Sequence, residues 1–550
     1  MVVLETRHSI LNSLIGEKLS LKELEEILFN LGYELEDISG DNLRIDITAE
    51  RPDLLSTQGL ARALRAYLGF KNIDYKVIKS KGKIKVENTA KEWPFVLACI
   101  VKGLKFDDEK IKEVIRIQEK LGTTFLRNRK KGGLGLYPLD KIKFPVKYTS
   151  EEPKKIVYRP LEYSEKLNAL EILQKHPTGI KYKYLVNGWK RFPIFIDSNK
   201  TIMSMPPIVN SHDVGKIDED TKDVFVEVTG KDLKTITMAF EILVGALMDM
   251  GGKAYSLNIN YGNKIIKCPE FKEEKRKLNV DYVNKILGLN LKTSEIKRLL
   301  EKMMYKIKSA NEKELKIIIP STRSDIWHNI DVVDDIMRAY GCNNFELNLK
   351  SVESIGETTK SVKLKEEISN LFIGLGYQEV FTLMLTNKEN QFRKMNIEES
   401  KHINLGKSVE QSVNMARNWL LPELINCLHF NRSVEYPHKI FEINHVVLPD
   451  NTRDVMSKDV LKLSIVNSHS SANFTEIKQI LDYLANSFSF KYDIKEIEHG
   501  SFINGRAGNV IVDGSEIGVI GEISPVVLGN FGLEAPVSAL ELDLNKLFNL

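Results

Sequence analysis

Cysteine is scarce in this sequence: four in 550 residues, at positions 99, 268, 342 and 427, each alone. Cysteines scattered singly cannot make a disulfide framework, and no Cys-x-x-Cys pair offers a zinc or redox site. Long apolar runs are also missing, since none reaches the ~18 residues that cross a bilayer. Glu5, Arg7, His8 and Glu17 interrupt the stretch where a signal peptide would have its apolar core, so a cytoplasmic protein is expected. Nor is there an excess of one charge. Seventy-nine basic residues face 75 acidic ones for a net charge of +4, so bulk charge names no partner and only local basic runs could. Walker loops, a dinucleotide-binding glycine fingerprint, His-Glu-x-x-His and Gly-x-Ser-x-Gly are all absent, which removes common NTPases, dehydrogenases and zinc proteases.

What is present is a globular balance of 42% hydrophobic and 28% charged residues in a chain too long for one core, so three or four domains are expected. SLKELEEILFNLGY (20–33) spaces its leucines for a helix, with Ser20 as N-cap and Gly32 as stop. A strand over 43–50 and a helix ending at Gly69 follow, and the charged stretch 76–94 marks a boundary. From 95 to 261, short β-rich runs alternate with helices over 108–122 and 235–252 in one α+β domain. Two helices broken at Gly288 and Asn290 give 280–305 a helix-turn-helix-like character, before the strand and loop of 314–326. The last 200 or so residues place helices on a largely antiparallel sheet. It includes VFTLMLT (380–386), KIFEINHVVL (439–448) and a hairpin turning at Asp513–Gly514. The fold class expected is therefore α+β and multidomain.

Four features stand out chemically. Asp325, Asp331, Asp334 and Asp335 cluster at a loop and helix start, with the last three on one face. A hard cation such as Mg²⁺ would relieve their repulsion, while the positive end of the helix dipole would by itself account for acidic residues there. Arg127, Asn128, Arg129, Lys130 and Lys131, followed by two glycines, form a basic loop suited either to phosphate or to solvent. Glu227 interrupts the apolar strand VFVEVTG and faces either a pocket or water. His212 and His328 lie near acidic residues, but neither has a second histidine at ligand spacing.

Longer motifs carry a resemblance over nearly the whole chain. ITAERPDLLSTQGLARALRAYLG (47–69), with Glu50 where asparagine is usual, is similar to the N-terminal Asn-Arg-x-Asp-Leu-Leu segment of the phenylalanyl-tRNA synthetase β-subunit family in its archaeal and eukaryotic form. IQEKLGTTFLRNRKKGGLGLYPLDKI, EILQKHPTG, MPPIVNSHDVGKID and VFVEVTGKD resemble that family's B3/B4 editing domain. IIIPSTRSDIWHNIDVVDDIMRAYG (317–341) resembles its B5 domain. MARNWLLPELI, KIFEINHVV and FINGRAGNVIVDGSEIGVIGEISPVVL resemble its class II synthetase-like domain. One departure is Gly135-Leu136-Tyr137-Pro138, where the family reads Gly-Ile-His-Asp.

The resemblance implies four domains: 1–85 (B1-like), 86–262 (B3/B4 editing), 263–350 (B5) and 355–550 (class II-like and non-catalytic). It implies an α subunit that carries aminoacylation with ATP and Mg²⁺, a heterotetramer of two α and two β chains, and tRNA(Phe) as partner. Arg417-Asn418-Trp419 and GEISPVVLGNFG (521–532) lack the ATP-gripping pattern of a working class II site, so this chain is expected not to be the synthetic catalyst. An apolar pocket rejects an extra hydroxyl by only ~10²-fold, so tyrosine leaks through and a second, hydrolytic site is needed. By resemblance, Glu227 would take the tyrosine hydroxyl there, with Asn210, Ser204 and Thr229 orienting the ester or a water, and one Mg²⁺ would bind Asp325, Asp331, Asp334 and Asp335. The rival expectation is an assembly and tRNA-binding subunit without editing.

Overall fold

The computed structural model describes residues 2–71, 73–262, 264–347, 354–408, 410 and 412–550. They fall into two units, Met1–Asn348 and Leu349–Leu550. The boundary expected between 350 and 355 lies partly outside the described residues. Mixed helices and sheets in both units agree with the α+β expectation.

The first unit opens with a three-stranded antiparallel sheet in which Asn42–Ile47 lies between Val2–Arg7 and Glu34–Ser39. Its helix Leu21–Leu31 starts at a complete capping box between Ser20 and Glu23 and stops at Gly32, whose φ of 82° suits glycine. A separate short turn precedes the next helix. Pro52–Leu54 forms a 3₁₀ turn and Ser56 caps Thr57–Tyr67. Residues 83–268 build a ten-stranded sheet in which Val224–Gly230 runs between Phe95–Lys102 and Gly132–Pro138, antiparallel to both. All seven residues of Val224–Gly230 are buried; the helix Leu233–Asp249 packs on this strand, and Asp108–Thr123 packs on the neighbouring Gly132–Pro138. A third small sheet sets Glu314–Ile319 between Glu274–Asn279 and Lys306–Ala310. The helices Val280–Leu287 and Thr293–Lys302 are separated, as expected, at Gly288.

The second unit is built on a seven-stranded sheet with His438–Pro449, Ser457–Ser468 and Val537–Asp543 side by side. Neighbouring residues divide between two cores, Ile440, Val466 and Ala539 in one and Phe441, Ile465 and Leu540 in the other, so both faces of the sheet are covered. The hairpin Phe502–Val512/Ser515–Ile523 turns at Asp513 and Gly514, with φ of 50° and 76°. VFTLMLT is not the strand its composition predicts: only Leu385–Thr386 is extended and paired. Side chains hold the rest. The Glu442 carboxylate accepts from the Thr382 N–H and hydroxyl, and Arg417 donates to the Thr382 carbonyl, which leaves Phe381 and Leu383 about three-quarters exposed.

Candidate functional site

Strand alternation assembles the first candidate. Phe225, Glu227 and Thr229 share one face of their strand, and register sets Glu227 opposite Gly135, Thr229 opposite Gly133 and Phe225 opposite Tyr137. The two glycines keep this face open. A Cβ at Gly135 would come within 2.4 Å of Glu227 Oε1 and 2.7 Å of the Tyr137 hydroxyl, and one at Gly133 within 3.2 Å of Pro207. Ser204 and Asn210 pair with each other on adjoining strands of the same sheet. Glu227, Ser204 and Thr229 are buried, and Asn210 is half-buried.

The Tyr137 hydroxyl lies 3.1 Å from Glu227 Oε1 and 3.2 Å from Asn210 Oδ1. A phenol has one proton and cannot donate to both oxygens. Burial pushes the Glu227 carboxyl up to about 8, so at neutral pH it keeps a proton; Glu227 then donates to Tyr137, which donates to Asn210. The Tyr137 phenol is itself raised well above its ordinary range, first by burial and then by Glu227, and stays protonated. Glu227 Oε2 and Thr229 Oγ1 have no hydrogen-bond partner among the described residues. Beside them is a cavity of about 20 Å³ bounded by Gly133, Pro206, Pro207, Asn210 and Arg129. Arg129, from the basic loop, does not reach for phosphate. Its guanidinium donates to the carbonyls of Pro207 (3.1 Å) and Ile208 (2.9 Å) and lies 4.3 Å from the Tyr182 ring, closing the pocket wall.

The aspartates expected to hold Mg²⁺ are brought to one cavity of about 500 Å³, together with an arginine the sequence reading passed over. Arg323 grips Asp325 through two bonds of 2.8 and 2.6 Å and Asp335 at 2.8 Å. Tyr305 also donates to Asp335, at 2.7 Å. Asp331 accepts the N–H groups of Trp327 and His328, and Asp334 pairs with Arg338 at 2.8 Å. Among the described residues no group of three or more His, Cys, Asp or Glu side chains could hold a metal ion. The Arg323 guanidinium places a fixed positive charge between Asp325 and Asp335. The signal was an echo in the sequence: Arg51-x-Asp53 and Arg323-x-Asp325 close the same fork, the former with bonds of 2.9 Å, and both arginines line this cavity.

In the second unit Arg417 is fully buried and committed. It donates to Glu442 (3.0 Å), to the Thr382 hydroxyl (2.7 Å) and to the His445 carbonyl (3.0 Å), and so presents no free guanidinium to a nucleotide. Asn418 and Trp419 use their N–H groups on Gln391.

Comparison with known proteins gives three matching family models. They are the Phe-tRNA synthetase beta subunit B1 domain over residues 1–70, the tRNA synthetase B5 domain over 276–342 and the phenylalanyl tRNA synthetase beta chain CLM domain over 348–544. Curated relatives bearing the name phenylalanine–tRNA ligase beta subunit include that of Pyrococcus horikoshii, 37% identical over 548 residues and 98% of both chains. Those of Pyrococcus abyssi (38%, 98% of both chains) and Methanocella arvoryzae (36%, 100% of both) are similar in the same way. Among solved structures, an N-terminal fragment of the phenylalanyl-tRNA synthetase beta-subunit from Pyrococcus horikoshii matches with a TM-score of 0.59 and 34% identity, over 62% of this chain and 99% of the fragment.

Proposed function

The chain belongs to the phenylalanine–tRNA ligase beta-subunit family, and from that premise we propose that it is the non-synthetic half of such a ligase. An α subunit would attach phenylalanine to tRNA(Phe) with ATP and Mg²⁺, in a heterotetramer of two α and two β chains. The division proposed is 1–85 as B1, 86–262 as B3/B4 editing domain, 263–350 as B5 and 355–550 as a class II-like scaffold. Arg417, locked on Glu442, supports the scaffold role.

Within 86–262 we infer a receptor for a phenolic hydroxyl, serving hydrolysis of mischarged tyrosyl-tRNA. In that reaction a water oxygen bonds to the ester carbonyl carbon, the bond to the ribose oxygen breaks, and tyrosine and free tRNA are released. The observation that carries this reading is the convergence of Glu227 and Asn210 on one phenol oxygen, at 3.1 and 3.2 Å. Phenylalanine entering such a site would leave both groups unpaired, which is the discrimination an editing site needs. A second reading, assembly and tRNA binding without editing, draws support from the fact that the phenol in place belongs to Tyr137. The test is to purify this chain with and without its α subunit. Phenylalanine-dependent ATP–pyrophosphate exchange should require α, and exchange by this chain alone would refute the scaffold role. Tyrosyl-tRNA hydrolysis by the complex, measured with Tyr137 intact and replaced, separates the two readings.

A further inference from the structure

We propose that Tyr137 is a built-in occupant of the phenol receptor, its side chain standing where the ring of a mischarged tyrosine would bind and holding the site closed. The inference rests on the editing reading of this pocket. Four observations carry it. The Tyr137 hydroxyl takes both groups that would recognise a tyrosine hydroxyl, Glu227 and Asn210. Its ring is fully buried, seated against Phe225 with centroids 5.9 Å apart. Gly135 leaves the space in which that hydroxyl meets Glu227, for any Cβ there would collide with both. The cavity that remains, about 20 Å³, has room for one water and not for a second ring.

The occupant satisfies only part of the site. Glu227 Oε2 and Thr229 Oγ1 are buried and without partners among the described residues, so polar capacity beside the phenol position is unused, as it would be where an absent substrate has polar groups of its own. An occupant tethered to the strand also has an advantage over a free ligand, because it gives up no translational freedom on binding. Two hydrogen bonds together favour the closed state by roughly 10- to 100-fold, and the apparent affinity for a tyrosyl group falls by the same factor.

The experiment uses the full chain and p-cresol, which is the tyrosine side chain without its backbone. Tyr137→Val keeps a residue suited to a strand and vacates the ring. p-Cresol should raise the melting temperature of this variant and leave that of the wild type unchanged. Absence of a shift in the variant, or an equal shift in the wild type, overturns the proposal. Should Tyr137→Val prove insoluble, Tyr137→Leu is measured in the same way, and the same two outcomes decide. Deacylation of tyrosyl-tRNA by the complex with α is measured alongside, and the variant should be roughly 10- to 100-fold faster than the wild type. Wild-type hydrolysis as fast as the variant's also overturns the plug. A variant that binds p-cresol, with tyrosyl-tRNA hydrolysed by neither it nor the wild type, leaves the plug standing and removes the editing reading, so the two failures are distinct.

Discussion

Replacing Glu227 with glutamine isolates the cost of ionising a carboxyl inside the first unit. Burial lifts this group from the ordinary 4.5 to about 8. Between those two values the unfolded chain has lost the proton while the folded chain keeps it, so stability falls as pH rises, by about 1.4 kcal/mol per pH unit, and levels off above pH 8. Over the whole window the loss is roughly 3–5 kcal/mol, with relaxation of the pocket acting to reduce it. Because the chain has several domains, a single global unfolding energy is a poor readout, and local opening is better. Hydrogen exchange of the segment Val224–Gly230, corrected for intrinsic rates, should show its opening free energy falling from pH 5.5 to 8. Glu227→Gln has no proton to lose and should flatten that fall by about 1.4 kcal/mol per unit. Glu241, also raised by burial, to about 7, would leave a residual slope in both proteins if the same opening exposes it. Equal slopes in wild type and Glu227→Gln would refute the reasoning, since Glu227 would then already be ionised in the folded chain.

Arg323→Ala strands Asp325 and Asp335 without their guanidinium and should cost about 3–5 kcal/mol, read as faster exchange in Glu314–Ile319. Mn²⁺ followed by electron paramagnetic resonance should find no stoichiometric site at these aspartates in the wild type and a gain of binding in Arg323→Ala; a tight wild-type site there would show that the cation displaces the arginine. Glu442→Gln removes the partner of a fully buried arginine and should lower the stability of the second unit by about 3–5 kcal/mol, measured by exchange in His438–Pro449. Ser20→Ala breaks a capping box and should cost about 1 kcal/mol, confined to exchange in Leu21–Leu31.

Local rules made much of the fold legible. Ser20 and Gly32 bound a helix because their capping chemistry depends only on near neighbours, and Asp513–Gly514 marks a hairpin because both positions take positive φ. VFTLMLT misled because β propensity describes fit to a pleated, half-buried surface. Here Glu442 and Arg417, distant in sequence, hold the backbone at Thr382 instead. The candidate site was legible in its types but not in its partners. Glu227 stands out as a carboxyl in an apolar strand, yet nothing local tells that Tyr137, 90 positions earlier, meets it; that follows from the register of Gly135 against Glu227. The aspartates advertise a cation by their spacing, whereas Arg323, two residues before the first of them, gives no local sign that it pairs with Asp325 and Asp335.

These cases share an energetic consequence. At Glu227, Asp325 and Arg417, groups that residue type assigns to ligands are bonded instead to side chains of the same chain: Tyr137, Arg323 and Glu442. A buried charged or polar group without a partner costs several kcal/mol, so a site that stands empty for part of its working life is costly to keep open. An internal partner removes that cost and sets a threshold, because a ligand must outbid a group already in place and already desolvated. The threshold differs between the sites. Two neutral hydrogen bonds hold Tyr137, and a substrate phenol offering the same two bonds plus contacts to Glu227 Oε2 and Thr229 Oγ1 could exceed them. Arg417 and Glu442 are a desolvated ion pair whose separation would strand both charges, so that position is closed to ligands under any condition in which the second unit stays folded. Of the two, only the Tyr137 site has the energetics of a gate, and opening it requires moving one side chain within an otherwise continuous sheet.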